Sequence, residues 1–181
     1  AQHSPEIHRE NSSHVSGNES AVANHGDDFP IPEEWKSILD EMEQNNGHFL
    51  VTGHAGAGKT TLIGMFRRLT EKNVVVMAPS GLAAINAEGV TIHSFAQLPT
   101  TVITEDSIRD ISEKLLLQAI DTIIIDEVNM VRCDLLDGLD RFMRKNGRDA
   151  NLPFGGIQVI LVGDPYQLPP IVKDEDKLLL E

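Results

Sequence analysis

Cysteine, long apolar runs and basic residues are all scarce in this 181-residue sequence, and each scarcity narrows what it can be. A lone Cys133 rules out an internal disulfide framework and fits a reducing compartment. It falls in a helical pattern and reads as structural rather than nucleophilic. Apolar runs of only a few residues leave no candidate for a membrane-spanning helix. The N-terminus has no basic-then-apolar signal peptide, and it is acidic where a mitochondrial presequence would be Arg-rich. Lys and Arg number 15 against 28 Asp and Glu, a net charge of −13. The excess is uneven: residues 1–43 carry 10 acids and 2 bases, whereas residues 44–172 carry 14 acids and 11 bases. This balance weighs against tight non-specific phosphate binding, but it leaves room for a narrow strand-binding track.

What the sequence does contain is enough for one folded domain, with 40% apolar residues. Residues 1–28 are polar, rich in Ser, Asn and His, and too poor in apolar surface to offset their ordering entropy. They are expected to form a disordered tail. His3, His8, His14 and His25 within it lack metal-ligand spacing. The folded domain is expected over 29–181. Pro32 followed by Glu33 and Glu34 suits a helix start. Trp35, Ile38, Leu39 and Met42 recur at helical spacing until Asn45-Asn46-Gly47. Beyond it, apolar runs at His48–Thr52, Val74–Ala78, Thr122–Asp126 and Ile157–Gly163 read as parallel strands buried on both faces. Helical patterns lie between them at Thr60–Glu71, Ser107–Ala119 and Cys133–Lys145. Asn146–Gly156 reads as a loop. This alternation predicts an α/β fold: a doubly wound parallel sheet flanked by helices, with ligands at the strands' carboxyl ends.

Four stretches carry chemistry. Gly53-His54-Ala55-Gly56-Ala57-Gly58-Lys59-Thr60 matches G-x-x-x-x-G-K-[ST] between a strand and an amphipathic helix. Its glycines let backbone N–H groups turn inward around phosphates. Lys59 supplies a charge to the β- and γ-phosphates, Thr60 a hydroxyl to Mg²⁺, and the helix that continues through Thr61 aims its positive end at the same anion. Thr122–Glu127 ends a buried strand in two acids: Asp126 is placed to hold Mg²⁺, and Glu127 to polarise the attacking water. Ile157–Pro170 delivers Asp164 and Gln167 to the same edge, where Gln167 can sense the γ-phosphate. Ala78–Ala84 and Gly89–Phe95 offer Ser80, Thr91, His93 and Ser94 to a sugar-phosphate backbone. Phe95 there either stacks on a base or packs in the core.

In this order the four stretches resemble the petite-integration-frequency (PIF) and RecD-like branch of superfamily 1 helicases. GHAGAGKT is similar to that family's motif I, APSGLAA with GVTIHSF to motif Ia, IIIDEVNMV to motif II and VGDPYQLPPI to motif III. The resemblance covers residues 48–172. It implies the first RecA-like domain of a phosphate-loop NTPase, using ATP and Mg²⁺ to move 5′-to-3′ along single-stranded DNA and separate strands, with roles in DNA repair and recombination. It assigns DNA contacts to Ser80, Thr91, His93, Ser94 and Phe95, and it points to Gln97–Lys114 as the place for a short wedge. It also implies a monomer with no membrane association, cytoplasmic in a bacterium or nuclear or mitochondrial in a eukaryote. Two departures stand out. Where family members have an adenine-reading Gln, the first helix reads Glu33-Glu34-Trp35-Lys36, with Gln44 only at its end. The sequence also stops at Glu181, before a second RecA-like domain with its arginine finger, so slow turnover is expected. The rival readings are a DNA-dependent ATPase that remodels nucleoprotein and a nucleotide-gated binding module. A metabolite kinase shares the phosphate loop but leaves GVTIHSF and GDPYQLPP unexplained.

Overall fold

Three consecutive isoleucines, Ile123, Ile124 and Ile125, are fully buried at the centre of the molecule. Such β-branched side chains pack well on a pleated surface, and burying each contributes roughly 1.5–3 kcal/mol. They lie in β4 (Thr122–Ile125) of a sheet that also holds β1 (Phe49–Thr52), β2 (Val74–Ala78), β3 (Val90–Thr91) and β5 (Gln158–Gly163). The order is β1-β5-β4-β2-β3, and every pairing is parallel. The computed structural model describes residues 31–180, so the expected tail and its histidines lie outside the described residues. Residues 32–181 form one unit.

The helices are α1 (Glu33–Gln44), α2 (Lys59–Leu69), α3 (Gly81–Asn86), α4 (Ile92–Ala96), α5 (Lys114–Gln118), α6 (Cys133–Asn146) and α7 (Asp174–Leu180). Pro32 precedes α1, and Glu33 and Glu34 occupy its first turn, as the sequence pattern requires. α6 presents Leu135, Leu139, Phe142 and Met143 to the core, together with Ile92, Ala96, Ile123 and Ile125. Cys133 is exposed at the first position of α6.

Two expectations need correction. The helix expected over Ser107–Ala119 exists only as Lys114–Gln118. Residues 108–111 are held instead by α6 side chains. Ile111 N–H donates to Asn146 Oδ1 at 3.0 Å, Asn146 Nδ2 donates to the Arg109 carbonyl at 2.9 Å, and Lys145 Nζ donates to the Ile108 carbonyl at 2.9 Å. Side chains that satisfy these backbone groups remove the need for a helical ladder. Secondly, the strand expected over Thr122–Asp126 ends at Ile125, and β5 lies between it and β1, the strand before Gly53. The region proposed for a wedge, Gln97–Lys114, folds against α6: Leu98 and Ile103 are buried over Gly138, where a Cβ would come within 2.8 Å of Ile103.

At the amino edge of the sheet, Gln158 is almost fully buried. Its Nε2 donates to the Met42, Asn45 and Gly47 carbonyls, and its Oε1 accepts from Thr122 Oγ1 and Lys72 Nζ. Lys72 also donates to the Met42 and Asn45 carbonyls, capping the negative end of α1. Burial holds the Lys72 pKa below its ordinary value, against the opposing pull of Glu43 and Asp121. This knot ties α1 to three strands and sets β1, and the loop after it, in place.

Candidate nucleotide site and adjoining surface

β1 ends at Thr52, and the chain turns through Gly53–Gly58 into α2. Gly56 and Gly58 have φ of +79° and +87°, the left-handed region that disfavours other residues. A Cβ on Gly56 would meet nothing within 4 Å, so that position is open. Gly58 caps α2 without a side chain, and no acid occupies the first turn, so the N–H groups of this helix end are left to an anion. Ala55 and Ala57 are exposed between the glycines, and Thr61 is exposed on the first turn of α2. Lys59 Nζ folds over the loop and donates to the Gly53 carbonyl at 2.6 Å and the His54 carbonyl at 3.1 Å. Neutral carbonyls hold the ammonium where phosphate oxygens can replace them.

Thr60 and Asp126 both line a cavity of about 230 Å³ that runs on between α2 and the sheet past Ile63, Arg67, Val76 and Glu88, although their strands are separated by β5. Asp126 Oδ1 accepts the Glu127 N–H at 2.9 Å. Glu127 is left-handed, with φ 53° and ψ 42°, a conformation of the kind that costs about 1–3 kcal/mol and collects at functional sites. Among the described residues no cluster of three or more His, Cys, Asp or Glu can hold a metal ion by itself. A hydroxyl and a carboxylate on one cavity suit a cation that completes its shell with phosphate oxygens and water, as Mg²⁺ does. The residues therefore fit Mg²⁺ with a nucleotide.

β5 delivers Asp164, which is buried, and Gln167, which is exposed, to the same edge. Gln167 Nε2 donates to Asp164 Oδ2 at 3.1 Å, and its N–H to the Asp164 carbonyl at 3.0 Å. Lys59, Thr60, Asp126, Glu127 and Gln167 thus all follow strands that end on one side of one parallel sheet.

The residues assigned to DNA contact divide. Ser80 Oγ caps α3 by accepting the Ala83 N–H, and Thr91 Oγ1 caps α4 by accepting the Ser94 N–H. Both stand at the carboxyl ends of β2 and β3. Ser94 is exposed beside them, and His93 is half-buried with its Nδ1 buried and unpartnered. Phe95 is partly buried: its ring meets Phe142 edge-on at 6.3 Å and packs against the core, as the second of its two readings has it.

Sequence reasoning missed two side chains here. Trp35, read as one member of an apolar stripe, lies against the loop: a Cβ on Gly58 would sit 3.3 Å from its ring. Gln44, at the far end of α1, is exposed, while Trp35 and Ile38 line a groove with Gly58 and Lys59. The other is Asn129, which bonds to the Asp164–Leu168 turn. A sole tryptophan just before a phosphate loop is a signal that could have been read. Asn129 left none, because its partners are 35 and 39 residues away.

Residues 32–179 match the family described as PIF1-like helicase. The chain is 36% identical over 160 residues to the ATP-dependent DNA helicase PIF1 of Saccharomyces cerevisiae (strain YJM789), covering 81% of this chain and 18% of that protein. It is 44% identical over 131 residues to the ATP-dependent DNA helicase PIF1 of Candida albicans, covering 67% and 14%. Among solved structures it is similar to the Pif1 helicase from Bacteroides in complex with ADP-AlF3 and ssDNA. That match has a TM-score of 0.77 and 41% identity over 84% of this chain and 36% of that one. The chain spans about a fifth of the length of the curated Saccharomyces relative. With matches of this extent and a sheet edge of this kind, the chain belongs to the PIF1-like helicase family.

Proposed function

We propose that this chain is the ATP-binding and hydrolysing motor domain of a DNA helicase that moves 5′-to-3′ on single-stranded DNA. The observation that carries the proposal is a glycine loop over which Lys59 is already folded, followed by Thr60, which lines one cavity with Asp126. The loop from Gly53 to Thr61 takes the phosphates, and Lys59 trades its two carbonyl partners for their oxygens. Thr60 and Asp126 would hold Mg²⁺, which would supply charge neutralisation at the phosphates. Glu127 polarises the attacking water from a left-handed backbone position just after β4. Gln167 responds to the γ-phosphate. Ser80, Thr91, His93 and Ser94 form the strand-binding side, with Phe95 bracing it from the core.

Turnover by this chain alone is expected to be slow. An arginine finger contributes about 10³ to 10⁵ in rate. Of the seven arginines among the described residues, Arg67, Arg132, Arg141, Arg144 and Arg148 are tied to carboxylates of their own domain, and Arg68 and Arg109 lie outside the phosphate loop and the strand ends that carry the site. Calorimetric titration should detect Mg-ADP binding, and single-stranded DNA should raise ATP turnover only slightly. Glu127→Gln should keep binding while losing turnover. Absence of Mg-ADP binding by the unmodified chain would refute the proposal, and full turnover by Glu127→Gln would remove Glu127 from its role.

A further inference from the structure

Motif II and the turn after β5 are joined by one side chain. Asn129 is the middle residue of the 3-10 turn Val128–Met130, two positions after Glu127. Its Oδ1 accepts the Asp164 N–H at 3.3 Å, and its Nδ2 donates to the Leu168 carbonyl at 3.2 Å. The two ends of the amide therefore bracket the turn from Asp164 to Leu168 that carries Gln167. Within the bracket, Asp164 Oδ1 accepts the Tyr166 N–H at 3.0 Å, and the Gln167 amide is held by Asp164 as described above. The approach is close: a Cβ on Gly163 would come within 2.8 Å of Asn129 Oδ1 and 2.9 Å of Val128 Cγ1. Only a side chain that both donates and accepts in fixed geometry can hold both ends.

Glu127 itself is secured on the other side, with its N–H on Asp126 Oδ1 and its carbonyl accepting the Met130 N–H at 2.9 Å. Asn129 thus stands between two turns, one carrying Glu127 and one carrying Gln167. We infer that Asn129 is a positioning residue that keeps these two side chains in register for attack on the terminal phosphate. The inference rests on the reading of Glu127 and Gln167 given above. The Asn129 amide is taken up by the Asp164 N–H and the Leu168 carbonyl, so it acts through the backbone of the two turns.

The test compares wild type with Asn129→Ala and Asn129→Asp. Asn129→Asp keeps the acceptor for the Asp164 N–H but loses the donor to Leu168. Single-turnover hydrolysis, Mg-ADP affinity and amide hydrogen exchange are measured on each. In Asn129→Ala the hydrolysis rate should fall about tenfold or more, with Mg-ADP affinity within about twofold of wild type. Exchange at Asp164 should quicken at least about tenfold while Val159–Val162 stay protected. Asn129→Asp should keep Asp164 protected and still lose rate. Unchanged rate together with unchanged Asp164 protection in Asn129→Ala would overturn the inference. So would equal losses of Mg-ADP affinity and of β5 protection, which mark a merely structural residue. Wild type that fails to bind Mg-ADP would instead sink the reading of the site, and the role of Asn129 in turnover with it. Where wild type binds but turns over too slowly to time, exchange at Asp164 decides.

Discussion

At the amino ends of β2, β4 and β5, Lys72, Asn73, Thr122 and Gln158 bond to other elements of the fold, among them the carbonyls that end α1. At the carboxyl ends of β1, β4 and β5, the polar groups bond mostly within their own loops. Lys59 reaches Gly53 and His54, Asp126 reaches Glu127, and Asp164 reaches Tyr166 and Gln167. The first edge is closed by long-range bonds in a buried setting, so loss of one partner strands another. Apart from the two bonds of Asn129, the second edge is held by short-range bonds, and those of Lys59 can be replaced by a ligand's oxygens without disturbing the sheet. Stability and ligand chemistry are thus divided between opposite ends of the same strands.

That division can be broken from either side. Gln158→Ala leaves the buried Thr122 Oγ1 without its acceptor and opens a buried polar gap against α1. It should lower the unfolding free energy by about 3 kcal/mol in urea titration, with Mg-ADP affinity unchanged. Loss of affinity in that variant would show that the two edges are coupled. Lys59→Ala should do the reverse, weakening Mg-ADP binding about 10- to 100-fold in calorimetry while the urea midpoint stays in place. Gly58→Ala should move both readouts. A left-handed backbone costs an alanine about 1–2 kcal/mol, and the new methyl also presses on Trp35.

A smaller effect separates the edges by pH. The Arg148 guanidinium and the Asn73 N–H hold the Asp121 carboxyl below the ordinary carboxylate range. A depressed folded-state value means that this contribution is complete above the unfolded value of about 3.9 and is lost as pH falls through the folded value. Asp121→Asn should therefore be less stable than wild type at neutral pH, and the gap in urea midpoint should narrow as pH falls below the unfolded value. The smallest change belongs to the exposed pair Arg141–Glu105. Glu105→Gln should alter the unfolding free energy by about 0.5 kcal/mol or less.

How much of this was legible in sequence follows from the range of each interaction. The phosphate loop and the acids after Ile125 could be read because their chemistry is written in contiguous residues flanked by unbroken apolar runs. β3 could not, being two residues long and paired only with Met77 and Ala78. The helix expected from Ile108, Ile111 and Leu115 failed because Asn146, from a distant helix, satisfies that backbone, and Leu115 ends up exposed. The place of β5 between the two functional strands is a matter of topology, invisible to local pattern. Phe95 was undecided for the same reason: whether an aromatic faces solvent or Phe142 depends on a residue 47 positions further along.

The chain's one indole leans on Gly58, the residue that starts the helix beneath the phosphates. Its emission therefore serves as a built-in optical gauge. Filling of the loop should shift intensity or wavelength without any attached dye, and titrations can be followed on the unaltered protein. Substituting that ring by phenylalanine would darken the signal while leaving the phosphate cradle intact.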